Sequence, residues 1–149
     1  MYFVTVKFNR RTAVAIIVAA ALVLLALIFL FSGPDSQSAF RSAKLETREQ
    51  RVEFLKELGW EAQPESETEK TVLIPREFTG VYQEYNRLQE EQGFDLREYI
   101  GTEVQVYSYI ITNYKSSDTV VATLYTCKGR LIAGDIHSTT LSGFMHGLK

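Results

Sequence analysis

The sequence predicts an α+β domain, in which two helices cover a small antiparallel sheet, behind one amino-terminal transmembrane helix. Three observations lead to this expectation. An uncharged apolar run lies near the amino terminus, two helical patterns bracket one short extended run, and three extended runs rich in β-branched and aromatic residues follow. Short polar turns join the last three runs, so we expect a meander of three strands plus a short edge strand, with the helices on one face.

The apolar run occupies residues 13–31 and reads AVAIIVAAALVLLALIFLF. As a helix rising ~1.5 Å per residue it would be ~28 Å long, which matches the hydrocarbon core of a bilayer. The charged residues before it are all basic: Lys7, Arg10 and Arg11. The positive-inside rule therefore predicts a signal anchor in the cell membrane, with residues 1–12 in the cytoplasm and the remainder extracytoplasmic. Cleavage as a secretory signal peptide, with Ser36 and Ser38 as the small residues, is the competing interpretation.

The predicted extracytoplasmic part is acidic. All 18 acidic residues and 13 of the 16 basic residues follow the apolar run, which gives that part a net charge of −5. An acidic domain gains nothing from the counterion release that drives binding to nucleic acid, so we expect no nucleic-acid partner. The chain has one cysteine, Cys127, so no internal disulfide can form and the core must hold the fold together.

A polar, serine-rich segment, residues 32–45, is expected to tether the domain, residues 46–149, to the membrane. The first helix begins near Thr47, because Thr47 and Gln50 have the spacing of a capping box. Gly59 is expected to end this helix, since glycine is favoured just after a helix terminus.

The next elements follow from turn residues and periodicity. The acidic stretch 61–69 contains a proline and is expected to be a solvated loop, and residues 70–74 form a short strand. A second helix is predicted over residues 79–92. Four apolar residues recur there at helical spacing: Phe78, Val81, Tyr85 and Leu88. The later strands are predicted over residues 102–112, 119–127 and 130–136.

Cys127 and His137 would be the obvious nucleophile and base, and the short turn between their strands allows a test by counting. With a two-residue hairpin, His137 faces Val120 on the preceding strand. At ~3.4 Å per residue, His137 then lies ~24 Å along the strand from Cys127, far beyond the reach of a nucleophile and its base. We therefore expect a buried apolar role for Cys127.

Asp135 and His137 form a candidate metal site. They lie two apart on a strand and so share a face, and His146 could fold back to supply a third ligand for zinc or a similar ion. The alternative is that Asp135 accepts hydrogen bonds from the turn at residues 138–140, as aspartate commonly does where a strand ends. Outside this candidate set, we expect no cofactor and no catalytic residues.

Tyr107 and Tyr109 alternate with other residues along one strand and therefore share one face of the sheet. Two interpretations stay open. The rings could cover a small core with their hydroxyls at its wet edge. They could instead form an aromatic surface for a peptide, glycan or partner protein, since tyrosine is enriched at interfaces.

Two stretches carry a family resemblance: YNRLQEEQGFDLREYIG followed by a Val/Tyr-rich strand, and GDI followed by GFMHGL near the carboxyl end. Over roughly residues 46–148 the chain resembles an uncharacterised family of small membrane-anchored proteins from Firmicutes, chiefly clostridia-like bacteria, described as a domain of unknown function. The resemblance implies an extracytoplasmic domain behind one transmembrane helix. It implies no catalytic residues, because none are established for the family.

The sequence therefore favours a single-pass, membrane-anchored binding or accessory module of the bacterial cell envelope, and not an enzyme. Its expected partners are the membrane, through residues 13–31, and an envelope protein or glycan. The alternative function is a metal-dependent envelope hydrolase that uses Asp135, His137 and His146.

Overall fold

The computed structural model describes Phe40 and residues 42–149. The predicted cytoplasmic segment 1–12, the transmembrane segment 13–31 and most of the tether lie outside these described residues. Within the described part, no helix combines the length and the apolar character needed to cross a bilayer. The domain predicted from residue 46 onward is described in full.

Residues 42–149 form an α+β domain with a sheet of five antiparallel strands in sequence order. The α-helices of this part of the chain are α1 (Arg48–Glu57) and α2 (Val81–Glu91). The strands are β1 (Thr68–Leu73), β2 (Glu103–Ile111), β3 (Val120–Cys127), β4 (Arg130–Ser138) and β5 (Met145–His146). Two 3₁₀ turns, Pro64–Ser66 and Leu96–Tyr99, precede β1 and β2. The α+β class is confirmed, and β5 is a strand that the sequence pattern did not predict.

The helix ends agree with the predicted caps. The N–H of Gln50 donates to Thr47 Oγ1 at 3.3 Å, and the N–H of Thr47 donates to Gln50 Oε1 at 3.1 Å, which confirms the capping box. Gly59 follows α1 with a φ of +91°, and Gly93 follows α2 with a φ of +86°. This left-handed backbone favours glycine and ends each helix where the sequence indicates.

The sheet separates two hydrophobic clusters. The first contains Tyr107 of β2 and Leu55 of α1, and the second contains Val106 of β2 and Tyr85 of α2. Because neighbouring residues of a strand point to opposite faces, the two clusters lie on opposite sides of the sheet. We call the side of Tyr107 the first face and the side of Val106 the second face. The expectation of both helices on one face is therefore wrong.

A β-bulge decides which face carries the end of β4. The β3–β4 hairpin has the predicted two-residue turn. The register then shifts by one residue, because Thr126 pairs with Leu131 but the preceding residue, Tyr125, pairs with Ala133. His137 consequently pairs with Val121, and not with Val120 as an unbroken register predicts. Because side chains alternate along a strand, this shift turns His137 to the second face.

Gln89 of α2 and Gln92, which caps the carboxyl end of that helix, close the outer edge of β4. The N–H of Gly134 donates to Gln89 Oε1 at 2.9 Å, and Gln92 Nε2 donates to the carbonyl oxygen of Gly134 at 2.9 Å. Gln92 Oε1 accepts a further hydrogen bond, of 2.7 Å, from the N–H of Leu148. These contacts, the glutamine clamp, take the place of a neighbouring strand at Gly134 and hold the carboxyl-terminal segment.

The stretch before β1 is not the solvated loop that its acidic composition predicts. The side chain of Glu67 is 10% exposed and pairs with Arg51 of α1, with Oε2 at 2.9 Å from Nη2. The hydroxyl of Tyr109 also donates to Glu67, and Arg51 Nε donates to Tyr109 Oη at 2.8 Å. β1 begins at Thr68, two residues earlier than predicted. The buried pair thus ties the start of β1 to α1.

Candidate functional site

Asp135, His137 and Tyr85 form a hydrogen-bonded group on the second face of the sheet. Asp135 Oδ1 lies 2.7 Å from His137 Nδ1, and Tyr85 Oη donates to Asp135 Oδ2 at 2.7 Å. The side chain of Asp135 is 3% exposed, whereas that of His137 is 28% exposed. The group therefore joins a buried carboxylate to an imidazole that reaches the surface.

The hydrogen bond to Asp135 orients the imidazole of His137. In the neutral ring, the proton sits on Nδ1 because the carboxylate can only accept, which leaves Nε2 as an acceptor. In the protonated ring, Nε2 becomes a donor. Within the described residues, His137 Nε2 has no hydrogen-bond partner. The site therefore presents one oriented, unused polar atom to solvent.

The surroundings set the ionisation of this group. The hydrogen bond that His137 donates to Asp135 raises the pKa of His137 above its ordinary value of 6.5, while burial and the charge of Lys70 act in the opposite direction. Burial, followed by the charge of Asp135, raises the pKa of Tyr85, so its phenol stays a donor at neutral pH. The imidazole of His137 therefore keeps its proton to a higher pH than an isolated histidine does.

The second face around His137 is open to solvent. We define the open patch as the exposed or half-buried residues of this region: Thr68, Lys70, Ser108, Ile110, Val121 and His137. The sheet register brings them together across four strands, with Thr68 opposite Ser108, Ile110 opposite Val121, and Val121 opposite His137. The patch offers an imidazole, an ammonium and hydroxyls beside two aliphatic side chains.

Tyr107 and Tyr109 share one face, as predicted, but they do not form an open surface. Tyr109 is 1% exposed and Tyr107 is 9% exposed, and both belong to the cluster beneath α1. The guanidinium carbon of Arg51 lies 3.6 Å from the centroid of the Tyr107 ring. The tyrosine pair is therefore part of the core, and the alternative of an aromatic binding surface at these two residues is not supported.

The structure does not bring His146 to Asp135 and His137. β5 pairs His146 with Ile136, so its side chain shares the first face with Ile136. There its Nε2 lies 3.1 Å from Tyr114 Oη, and its Nδ1 lies 2.6 Å from the carbonyl oxygen of the next residue. The three side chains of the predicted metal set thus lie on two faces of the sheet. Among the described residues, no group of three or more His, Cys, Asp or Glu side chains could hold a metal ion.

Cys127 is also distant from the group. It lies at the hairpin end of β3, six residues from Val121, the strand partner of His137. At ~3.4 Å per residue this separation is ~20 Å, somewhat shorter than the predicted value because of the bulge. Cys127 is half-buried and packs against the second cluster, which fits an apolar role.

The predicted hydrogen bonds from the 138–140 turn go to a different acid. Ser138 Oγ donates to Asp118 Oδ2 at 3.0 Å, and Thr140 Oγ1 donates to the same oxygen at 3.3 Å. Asp118, in the loop before β3, therefore takes the role that the sequence suggested for Asp135. Asp135 is left to Tyr85 and His137.

A protein-family model matches residues 54–136, more than half of the chain, and its description is a domain of unknown function, DUF4830. The chain belongs to the DUF4830 family. This confirms the expectation of a domain-of-unknown-function family. The matched residues include Tyr85 and Asp135, and His137 directly follows them. No curated protein and no solved structure matches the chain significantly.

Sequence reasoning missed the buried amides of the DUF4830 domain. The apolar pattern places Val81 on the buried side of α2, but Val81 is 84% exposed, while Asn86 and Gln89 are buried. The signal for this arrangement was present, because Asn86, Gln89 and Gln92 recur at intervals of three, which is a helical spacing. Amide side chains that recur at helical spacing can indicate a buried polar face, just as apolar residues at that spacing indicate a face in the hydrophobic core.

Proposed function

We propose that the chain is a single-pass, membrane-anchored protein of a Firmicutes cell envelope, whose extracytoplasmic DUF4830 domain is a binding or accessory module. In this proposal the open patch is the binding region. The observation that carries it is the imidazole of His137, which a buried carboxylate orients and whose Nε2 has no partner in the described part of the chain. Oriented polar groups on an exposed surface favour a ligand that completes their hydrogen bonds.

The envelope location in this proposal rests on the sequence. The 19 uncharged residues 13–31 have the length of a bilayer-spanning helix, and basic residues precede them. The acidic character of the remainder suits an exported domain that avoids anionic headgroups. A reporter enzyme fused after Lys149 tests this part: we expect activity outside the membrane, and activity confined to the cytoplasm would contradict it.

Binding is favoured over nucleophilic catalysis because no described side chain pairs with the oriented imidazole as a nucleophile would. A nucleophile must lie within about 3 Å of its base, and no described hydroxyl or thiol hydrogen-bonds to His137 Nε2. The alternative, a metal-dependent envelope hydrolase using Asp135, His137 and His146, would require His146 to leave the first face. Stoichiometric zinc in the purified full chain, lost in His137→Ala, would favour that alternative.

Co-sedimentation with purified insoluble cell-wall material tests the binding function. The full chain in detergent is expected to sediment with the wall material, and His137→Gln is expected to weaken binding roughly ten-fold, or ~1.4 kcal/mol. His146→Gln is the matched control, because this residue is also a half-buried histidine but lies on the first face. Equal binding by both variants, or no binding by the wild type, would contradict the proposal.

A further inference from the structure

We propose that a cavity on the first face of the sheet, beside the β3–β4 turn, binds the head group of an α-amino acid, in which an ammonium and a carboxylate share one carbon atom. We call this space the hairpin cavity. The open patch lies on the opposite face, so this site is separate from the one in the proposed function. The inference therefore goes beyond that function and does not depend on it.

The hairpin cavity has a volume of about 350 Å³, which suits a small molecule. Its floor includes Gln105 of β2 and Thr126 of β3, which are paired directly across the two strands. The segment before α1 forms one wall, because the N–H of Leu45 donates to the carbonyl oxygen of Gly129 at 2.7 Å. A Cβ at Gly129 would collide with Cγ of Glu46, so the side chain of Glu46 lies directly against the turn.

Thr126 supplies an unused hydroxyl to the hairpin cavity. Its residue is 3% exposed, and the hydroxyl has no hydrogen-bond partner in the part of the chain that the structure describes. In that same part, the unpartnered side-chain polar atom that is sealed from solvent is Gln89 Nε2, so the Thr126 hydroxyl still opens onto the cavity that its residue lines. A buried hydroxyl without a partner costs free energy, which a ligand that pairs with it recovers.

Three charged side chains of both signs line the same cavity: Glu46, Glu103 and Lys128. Among the described residues, none of the three forms an ion pair. The register that pairs Gln105 with Thr126 brings Glu103 opposite Lys128 when it is continued toward the turn. Directly opposed residues of neighbouring strands have Cα atoms about 5 Å apart. A carboxylate and an ammonium that are close but unpaired can each bind the opposite charge of one zwitterionic ligand.

Lys128 stands in a backbone conformation that does not favour lysine. Its φ is +51°, and Gly129 follows with a φ of +72°. Asparagine and glycine are preferred at both positions of such a two-residue turn, because a residue with a larger side chain is strained there. Strain of this kind is often found at binding sites. Lys128→Asn is therefore expected to fold at least as well as the wild type, which makes it a clean test of the ammonium.

The groups of the hairpin cavity fit an amino acid better than a simple amine or a metal ion. A simple amine would leave Lys128 without a partner, whereas a ligand carboxylate pairs with it. A divalent cation would meet the positive charge of Lys128, and no three His, Cys, Asp or Glu side chains of the described residues are placed to hold a metal ion. The buried Leu45 and Tyr107 provide apolar surface for a small side chain.

The test uses the full chain in detergent micelles and L-alanine as the probe, with the NMR signals of the Gln105 side-chain amide as the readout. We expect saturable shifts with L-alanine, and roughly ten-fold weaker binding in Glu103→Gln and in Lys128→Asn. Thr126→Val should also weaken binding but leave the unfolding midpoint unchanged, because the hydroxyl has no partner within the described part of the chain.

The matched controls are Glu77→Gln and Lys115→Asn, since both residues are exposed and neither lines the hairpin cavity. Both control variants should bind L-alanine as the wild type does. Two blocked probes distinguish a free amino acid from the end of a peptide. Alaninamide keeps the ammonium, as an amino terminus does, and N-acetylalanine keeps the carboxylate, as a carboxyl terminus does. Each should bind roughly ten-fold more weakly than L-alanine.

Each outcome decides the inference. Weaker binding of both blocked probes, together with the losses in Glu103→Gln and Lys128→Asn, would support an amino-acid site. Binding of either blocked probe as tightly as L-alanine would show that one charge suffices and would overturn the assignment. The absence of shifts with L-alanine, equal losses in the control variants, or displacement of L-alanine by magnesium chloride at equal concentration would also overturn it.

Discussion

Nδ1 of His137 lies 2.7 Å from Oδ1 of Asp135, a carboxylate whose side chain is almost wholly buried. The β-bulge of β4 is what brings both residues to the second face. The same shift leaves His146 on the first face, because β5 pairs it with Ile136. The pairing of β4 with β5 thus separates two histidines that lie close together in the sequence, and the bulge decides which face each of them takes.

The first prediction concerns the pH dependence that this pair gives to folding. Asp135 raises the pKa of His137 in the folded state, so its stabilising effect is fully present below the unfolded value of 6.5 and is lost as the pH rises through the folded value. The free energy of unfolding of the wild type, relative to His137→Gln, should be larger at about pH 5.5 than at about pH 8.5. Unfolding of the full chain in detergent, followed by the fluorescence of Trp60, measures both. A difference that does not change with pH would contradict the role of Asp135.

A second prediction concerns the buried ion pair between Glu67 and Arg51. Burial opposes the ionisation of Glu67, but hydrogen bonds from Tyr109 and Arg51 outweigh it and lower its pKa below 4.5. Glu67→Gln should cost ~3 kcal/mol of unfolding free energy near neutral pH, because it leaves the Arg51 charge without its buried partner. Denaturant titration of the full chain provides the measurement.

A measurement at acidic pH and a substitution in an exposed ion pair provide the controls for Glu67→Gln. Since the folded pKa of Glu67 is lowered, its contribution is present above the unfolded value and disappears as the pH falls through the folded value. The cost of the substitution should therefore shrink in acid. Glu53→Gln removes the exposed ion pair with Lys56 and should cost less than ~1 kcal/mol. Equal costs for the two substitutions would show that the buried pair has no special role.

The glutamine clamp gives a third prediction. Gln92→Ala removes the partners of the Gly134 carbonyl oxygen and of the Leu148 N–H, so we expect a loss of ~1–3 kcal/mol in the free energy of unfolding. Gln83→Ala is the matched control, because Gln83 is an exposed glutamine on α2, the helix that Gln92 caps. If both substitutions have the same small effect in denaturant titrations, the clamp does not stabilise the edge of β4.

A fourth prediction concerns the space beside Gly134. A Cβ at this position would lie 2.6 Å from Leu148 Cδ1 and 2.8 Å from the carbonyl oxygen of Thr123. Gly134→Ala should therefore destabilise the domain by ~1–3 kcal/mol through overpacking. In a double-mutant cycle with Leu148→Ala, part of this cost should disappear, because one of the two clashes is removed. Fully additive effects would indicate that the glycine is required for another reason.

Local chemistry allowed much of the fold to be predicted. Thr47 and Gln50 mark the start of α1, Gly59 and Gly93 mark two helix ends, and the hairpin after Cys127 follows from its turn residues. These features depend on a few neighbouring residues. Their physical causes are therefore contained in short stretches of sequence.

The candidate site depended on tertiary structure and was harder to predict. The pairing of Asp135 and His137 follows from strand alternation, but the face on which they lie depends on a bulge that no turn residue announces. Tyr85 was predicted as a core residue, and its hydroxyl bond to Asp135 exists only because α2 packs toward the second face. Glu67 likewise belongs to an acidic stretch, and its side chain is only 10% exposed because it pairs with the buried Arg51.

Site-specific photo-crosslinking in intact cells tests most directly whether the open patch is a binding region of the cell envelope. A photoreactive residue at Ile110, which lies in the patch, is compared with one at Glu53, an exposed position of α1. We predict crosslinks to envelope material from position 110 that are lost in His137→Gln, and none from position 53. Crosslinks of equal yield from both positions, or none from position 110, would contradict the proposed function.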